Sequence, residues 1–448
     1  MAIKPKGKER RVRFDRFALG LENGKSVDGT LVATHSKNCD LSEGTLRCGV
    51  GRSPFTDAYG AEKSIEGATA LTVFSYRSGL HNYKYRFGYT NGAGGLFLYN
   101  QSSGAFEDVL GAGSEVQLFE AMNGSKEVVL FAYGDGGAWS YVRSGTLTKV
   151  FSRKTVAGCF YGERAFLVNY PFTLNYSVAL APENFESGVE EGGKIELPVR
   201  RGILHSFAEL DGCLYGFCDE DVVRLRAQGS ALDFQAERVD VAVGEIYKGS
   251  VRACGRYVFF LTADGLWAFD GKNAKRVLEE LKILPAQEER KCFSASVGGK
   301  YYLEYVDRAG ETRSIVVNQD GKSGYFSYSK SVLSDCAGRG LFLENGYAYR
   351  VDDKGSLPEG EVYSFDSECD FGCLEEKTLK TLTVNGRGKA KIKIASERAE
   401  KSLDVELADG EKEFDVQLKG KRFSLRIRLQ EGCEISSLGA CVYCLTGN

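Results

Sequence analysis

Methionine, tryptophan, histidine and proline are scarce in this chain of 448 residues, at 2, 2, 3 and 7 copies. Each scarcity removes a class of fold or function. Histidine is the usual proton shuttle at neutral pH and a common metal ligand. His35, His81 and His205 fall in no metal-ligand spacing and read as packed or surface residues. Apolar runs are short: "YVFFL" at 257–261 is far below the ~20 residues of a membrane-spanning helix. Neither sign of charge dominates, with 61 acidic and 58 basic residues and a net charge of -3. There is therefore no overall pull toward nucleic acid or an anionic membrane, and any such contact has to be local. The chain starts without a charged-then-apolar leader, and its 13 cysteines are odd in number and scattered. The expectation is reduced thiols in a cytosolic setting, with the N-x-S sequons at Asn100, Asn123 and Asn175 as chance matches.

Glycine is abundant at 54, as are Tyr at 23 and Phe at 27, a balance that favours many short strands joined by glycine turns. One stretch, Asn273 to Lys291, sets Val277, Leu278, Leu281 and Leu284 at helical spacing before Pro285 and predicts a single short helix. Elsewhere one grammar recurs. "RACGRYVFFLTADGLWAFDG" at 252–271 reads as glycine, apolar strand, polar turn, aromatic strand, turn. The same order is found from Asn123, Leu210 and Val297, and more loosely from Ser78, Tyr161 and Gly338. Anchoring each copy on a glycine gives Gly79, Gly124, Gly162, Gly212, Gly255, Gly299 and Gly340, spaced 38 to 50 residues apart. Four-stranded propeller blades repeat at about 40 to 45 residues. One small sheet cannot cover both its apolar faces, whereas a closed ring of sheets covers each with its neighbours. The expected fold is all-β: a β-propeller of six or seven blades over 68–360. The shorter last copy leaves open an extra hairpin, and a strand from before residue 68 is available to complete a blade.

The flanks read differently. Residues 1–16 form a basic N-terminal arm whose Arg10, Arg11, Arg13 and Arg16 are the candidate assembly contacts. Its two readings are a solvated disordered tail and an arm that orders only against a neighbouring subunit or a phosphate backbone. Residues 17–67 are expected to supply extended strands completing or flanking the propeller. From 361 to 448 the pattern becomes strict alternation. In "RFSLRIRL", Phe423, Leu425, Ile427 and Leu429 point one way and Arg422, Ser424, Arg426 and Arg428 the other. This predicts a small C-terminal β-sandwich. Outward Lys391, Lys393, Arg426 and Arg428 form either a solvated face that discourages aggregation or a basic strip for nucleic acid.

Catalytic signatures are missing. The CxxC of Cys441 and Cys444 falls in an alternating strand where side chains diverge, and Cys369 with Cys373 is a CxxxC. "NGRGKA" at 385–390 lacks the first glycine and the final Ser or Thr of a phosphate loop. "AYGDGGAWS" from Ala132 lacks the serine of a sialidase-type box. The carboxylate pairs Glu183 with Glu186 and Asp219 with Asp221 sit in loop-like text. The expectation is a non-enzymatic protein with no catalytic, cofactor-binding or metal-binding residues.

Two regions carry a resemblance. Leu174 to Arg226 contains a Tyr-Ser pair (Tyr176, Ser177), a Pro-acidic-x-Phe turn (Pro182, Glu183, Asn184, Phe185), an "I-x-L" strand (Ile195, Leu197) and an "LYxF" hairpin (Leu214, Tyr215, Phe217). This is similar to a passage in virion structural proteins of tailed bacteriophages and prophages. "NCDLSEGTLRCGVG" from Asn38 approaches their opening line but departs in placing Cys48 directly after Arg47. The region around "LKGKRFSLRIRL" resembles their C-terminal domain. The resemblance implies a tail or neck component of the tubular or nozzle type, forming part of an oligomeric ring around a DNA channel with other virion proteins. It implies assembly in the host cytoplasm, possible non-specific DNA contact, no membrane and no active site. The alternative is a glycan- or receptor-binding propeller whose Trp139 and Trp267 stack on sugars, although both tryptophans equally suit blade cores. A glycoside hydrolase is a third reading and would need carboxylates clustered on one face.

Overall fold

The computed structural model describes residues 7–19, 29–77, 83–111, 113–142, 145, 147–186, 192–287, 291–336 and 338–445. Seven sheets form a closed β-propeller, antiparallel except for the short strand Ala58–Tyr59 that joins the first blade in parallel, and a ten-stranded sheet curls beside it. The first strands of successive blades are Ala68–Arg77, Val116–Met122, Thr155–Tyr161, Leu204–Leu210, Arg252–Cys254, Cys292–Val297 and Ser331–Cys336. Each touches the next, and the last meets the first, so these strands are innermost and the ring is closed. Gly162, Gly212, Gly255 and Gly299 occupy the turn after the first strand with φ between 53° and 71°, a region that a β-carbon disfavours. Gly79 lies outside the described residues.

The recurring apolar strands are explained by burial on both faces. In Tyr257–Thr262, Val258 and Phe260 pack toward the fourth blade while Phe259 and Leu261 pack toward the sixth. Alternate side chains thus serve two different cores, and a run that would suit a fully buried strand results. The stretch 252–271 supplies the first three strands of blade five. The seventh copy is short because its outer strand comes from far away: Gly51–Pro54 pairs with Tyr347–Asp352 and closes the ring.

The curled sheet departs from a purely C-terminal sandwich. Five of its strands come from residues 7–48 and five from 363–445. At its centre a spine strand, Lys377–Ser396, is followed by a rim strand, Glu400–Gly420. The rim runs along one side of the spine. On the spine's other side, its first half pairs with Glu434–Leu445 and its second half with Phe423–Leu429. The spine bends where these partners change. Gly386 and Gly388 have φ of 156° and 87°, and a β-carbon on Gly386 would lie 2.1 Å from the Glu434 carbonyl oxygen. The "NGRGKA" text is therefore a bend that only glycine permits. The two halves fold over one core that includes Phe14, Phe17, Leu31, Phe365, Ile392 and Val442.

The predicted helix over 273–291 is not formed. Ala274–Arg276 is the outer strand of blade five, and a single 3-10 turn spans Glu279–Leu281. Leu278 and Lys282 on either side are left-handed, which interrupts any helix. Val277, Leu278 and Leu281 are buried, so the apolar spacing reports burial between blades five and six rather than a helical face.

Asn38 joins the two lobes. It is fully buried with φ of 59°, and its amide donates to Glu361 Oε2 at 3.0 Å and to the Val362 carbonyl at 3.1 Å. Its Oδ1 accepts from the Tyr328 amide at 2.7 Å, while its own N–H donates to the Phe326 carbonyl at 2.7 Å. Asparagine tolerates this left-handed backbone better than most residues. Replacing it with Leu strands several buried partners, so Asn38→Leu is expected to lower unfolding stability by about 3 kcal/mol or more. Urea denaturation followed by tyrosine and tryptophan fluorescence checks this.

Candidate functional site

Residues 1–6 of the basic arm lie outside the described residues; from Gly7 onward the arm is part of the curled sheet. Gly7–Phe14 is a strand paired antiparallel with Glu434–Leu445, Gly7 opposite Leu445 and Phe14 opposite Leu438. Phe14 is buried in the sheet core and Val12 packs against it. These two apolar anchors, invisible beneath the surrounding charge, explain why the arm docks. Arg10 donates to the Gly372 carbonyl at 2.6 Å; Arg13 pairs with Asp15 at 2.6 Å and reaches Glu411 at 3.7 Å. Arg16 begins the next strand, Arg16–Leu19, and its stem lies against Gly44. Arg10, Arg11 and Arg13 thus lie on the open border beside Glu434–Leu445, whereas Arg16 is on the strand that pairs with Thr30–Lys37.

Across the bent half of the sheet the order is rim, spine, Glu434–Leu445, arm. Among the described residues no strand pairs with the outer side of either the rim or the arm. Rim residues Leu403, Val405, Leu407, Val416 and Leu418 point into the core, which holds this 21-residue strand in place. Glu411, Glu413 and Asp415 are exposed on its other face. One border is therefore acidic and the opposite one basic.

The outward basic strip is largely neutralised. Lys391 stands opposite Arg428 and Lys393 opposite Arg426. Asp366 flanks one side, 2.7 Å from Arg428 and 3.3 Å from Arg426, while Lys393 meets Glu400 at 2.7 Å on the other. Ion-paired bases flanked by acids suit a solvated face better than a phosphate-binding one.

A cavity of about 550 Å³ lies at the seam between the curled sheet and blade six, with His35 and Phe326 in its wall. Its wall holds four bases, Lys37, Lys282, Arg308 and Arg313, and two acids: Lys37 pairs with Glu361 at 2.8 Å, Arg313 with Asp307 at 2.9 Å, and Arg308 donates to the Ala263 carbonyl at 3.2 Å. Behind it, burial lowers the Lys330 ammonium to about 7, and burial raises the nearby Glu304 carboxyl. Near the axis, Arg252 of blade five meets Asp335 of blade seven at 3.3 Å.

Possible reactive groups are quenched by their settings. Burial depresses His205 to about 4, leaving a neutral imidazole. His81 lies outside the described residues. Cys441 donates to Glu9 at 2.9 Å, whereas Cys444 sits beside Cys373, so the CxxC thiols serve different neighbours. Burial pushes the Cys48 thiol up to about 11. Trp267 lies parallel to Phe260 with its Nε1 donating to Thr262 at 3.0 Å, and Trp139 packs in the core between blades one and two. Both are half-buried and pack against blade cores.

No protein-family model and no curated protein matches the chain. Solved structures similar in fold include virginiamycin B lyase from Staphylococcus aureus, at 10% identity and a TM-score of 0.45, covering 68% of this chain and 98% of that one. The Cps50 (Swd1) β-propeller domain from Myceliophteria thermophila gives 10% and 0.40, covering 65% and 99%. The extracellular domain of a proposed hybrid two component system from B. thetaiotaomicron gives 8% and 0.47, covering 92% and 61%. At these identities the likeness is one of fold alone. The class the chain defines is a seven-bladed β-propeller fused to a curled β-sheet.

One titration is diagnostic of the ring. Burial raises Glu120, on the innermost strand of blade two, to about 7 despite a hydrogen bond with Thr72 of blade one. Unfolded, it titrates near 4.5, so its burial costs stability progressively as pH rises from about 4.5 to 7 and fully above. Glu120→Gln is expected to stabilise by about 1–2 kcal/mol at pH 8, less than the whole shift because the side chain is only half-buried, and by almost nothing at pH 4.5. Urea titrations at the two pH values measure the difference.

Proposed function

We propose that this chain is a non-enzymatic structural subunit of a bacteriophage or prophage tail or neck, one that joins other subunits into an oligomeric ring around a DNA channel. The observation that carries the reading is the 21-residue rim strand, whose outer side no strand pairs among the described residues. Long unpaired edges are a hazard that monomers usually shorten or cover, and one kept open by a well-packed inner face suits a protein whose edge is used in assembly. The propeller gives such a subunit rigidity, because each blade is held by two neighbours and the ring is fastened by Gly51–Pro54. The passages that resemble virion proteins support the same reading through their structural roles. Ser177 accepts from the Ala165 amide at 2.9 Å and fixes the exit of a blade-three strand, and Phe217 is fully buried between blades four and five.

Purified full-length chain is expected to form ring-shaped oligomers, seen by light scattering after gel filtration and by negative-stain microscopy. A chain that stays monomeric at all concentrations and binds tightly on a glycan array would overturn the proposal in favour of a sugar-binding propeller.

A further inference from the structure

Every open border of the curled sheet offers backbone groups to another strand, but the charges on the arm and the rim restrict which strand can come. The arm carries Lys8, Arg10, Arg11 and Arg13 against one acid, Glu9. The part of the rim in the same half-sheet, 410–420, presents Glu411, Glu413 and Asp415 from one exposed face against two bases, Lys412 and Lys419, so that acids outnumber bases by one. Generic protection of an edge would place like charge, usually lysine, on both borders. Here the borders are opposite in sign.

Strand direction adds a second restriction. The arm is antiparallel to Glu434–Leu445, that strand is antiparallel to the spine, and the spine is antiparallel to the rim. The arm and the rim therefore run in opposite directions within one copy. When a second copy is moved sideways without being turned over, its rim arrives beside the first copy's arm in antiparallel register, the arrangement that hairpin-type sheets use. A two-fold dimer would instead set rim against rim or arm against arm, with acid facing acid or base facing base, and like charges directly opposite destabilise a ladder. The attraction is already visible within one copy, where Arg13 reaches over the small residues Ser437 and Gly439 toward Glu411.

We infer that the chain self-assembles head to tail by strand addition, the basic arm Gly7–Phe14 of one copy pairing with the acidic rim segment 410–420 of the next. The partner is a second copy of this chain. A heterologous contact of this kind closes into a ring when the rotation per copy divides a full turn, and the curl of the sheet supplies a rotation. This inference rests on the proposed assembly role and names its contact.

The test uses two charge reversals at exposed positions, Lys8→Glu with Arg11→Glu on the arm, and Glu413→Lys with Asp415→Lys on the rim. Each reversed chain alone is expected to associate at least about tenfold more weakly than wild type in sedimentation velocity. An equimolar mixture of the two is expected to recover association, because each reversed border then faces its complement, and a chain carrying all four changes is expected to recover it alone. Unchanged thermal melting of each variant confirms that the fold survives. Wild-type rings that persist undiminished in both reversed chains would overturn the strand-addition contact while leaving the assembly role standing. Wild type that never associates would remove both. Loss of association in the reversed chains without recovery on mixing would also overturn the contact.

Discussion

The buried amide of Asn38 is the interaction on which the arrangement of the molecule depends. Its side chain and backbone hold blade six through Phe326 and Tyr328 and hold the curled sheet's entry through Glu361 and Val362. A buried polar group of this kind is costly unless fully satisfied, so the two lobes keep the relative position in which all of its partners are supplied. Close by, the chain enters the Gly51–Pro54 strand that fastens the propeller. Both lobes are thereby closed by the same N-terminal segment, and neither is built from one contiguous stretch of sequence.

The propeller's ends are joined by hydrogen bonds between Gly51–Pro54 and Tyr347–Asp352, and the curled sheet's by those between Gly7–Phe14 and Glu434–Leu445. Both pairings therefore depend on strands drawn from residues 7–54. Among the described residues, the outer sides of the arm and the rim are borders of the curled sheet that no strand pairs. In the proposed assembly charge selects the strand that pairs there, since backbone hydrogen bonding alone would accept any extended strand.

The candidate site was only half legible beforehand. Arg10, Arg11, Arg13 and Arg16 stand out as a cluster in the sequence; the structure puts the first three on one strand and Arg16 on the next, and the first strand is held by Val12 and Phe14, two apolar residues too few to register as a periodic pattern. The rim strand showed its alternation clearly. Its position at a border depends on which strands flank the spine, and no local pattern encodes that. The apolar spacing over 273–291 misled for the complementary reason: residues buried between two blades repeat much as a helical face would, while the left-handed Leu278 and Lys282 leave no mark in hydrophobicity.

By itself the sequence determined the strand content, the near-regular return of the blades and the inward and outward faces of the alternating strands, because these follow from local sterics and from the period of two along a strand. Only the tertiary structure decided that the ring has seven blades, that its last blade borrows Gly51–Pro54, and that the curled sheet draws half of its strands from residues 7–48. Those outcomes depend on pairing between segments about 300 or more residues apart. Such pairing is selected by the total burial it achieves, which no single stretch of the chain contains.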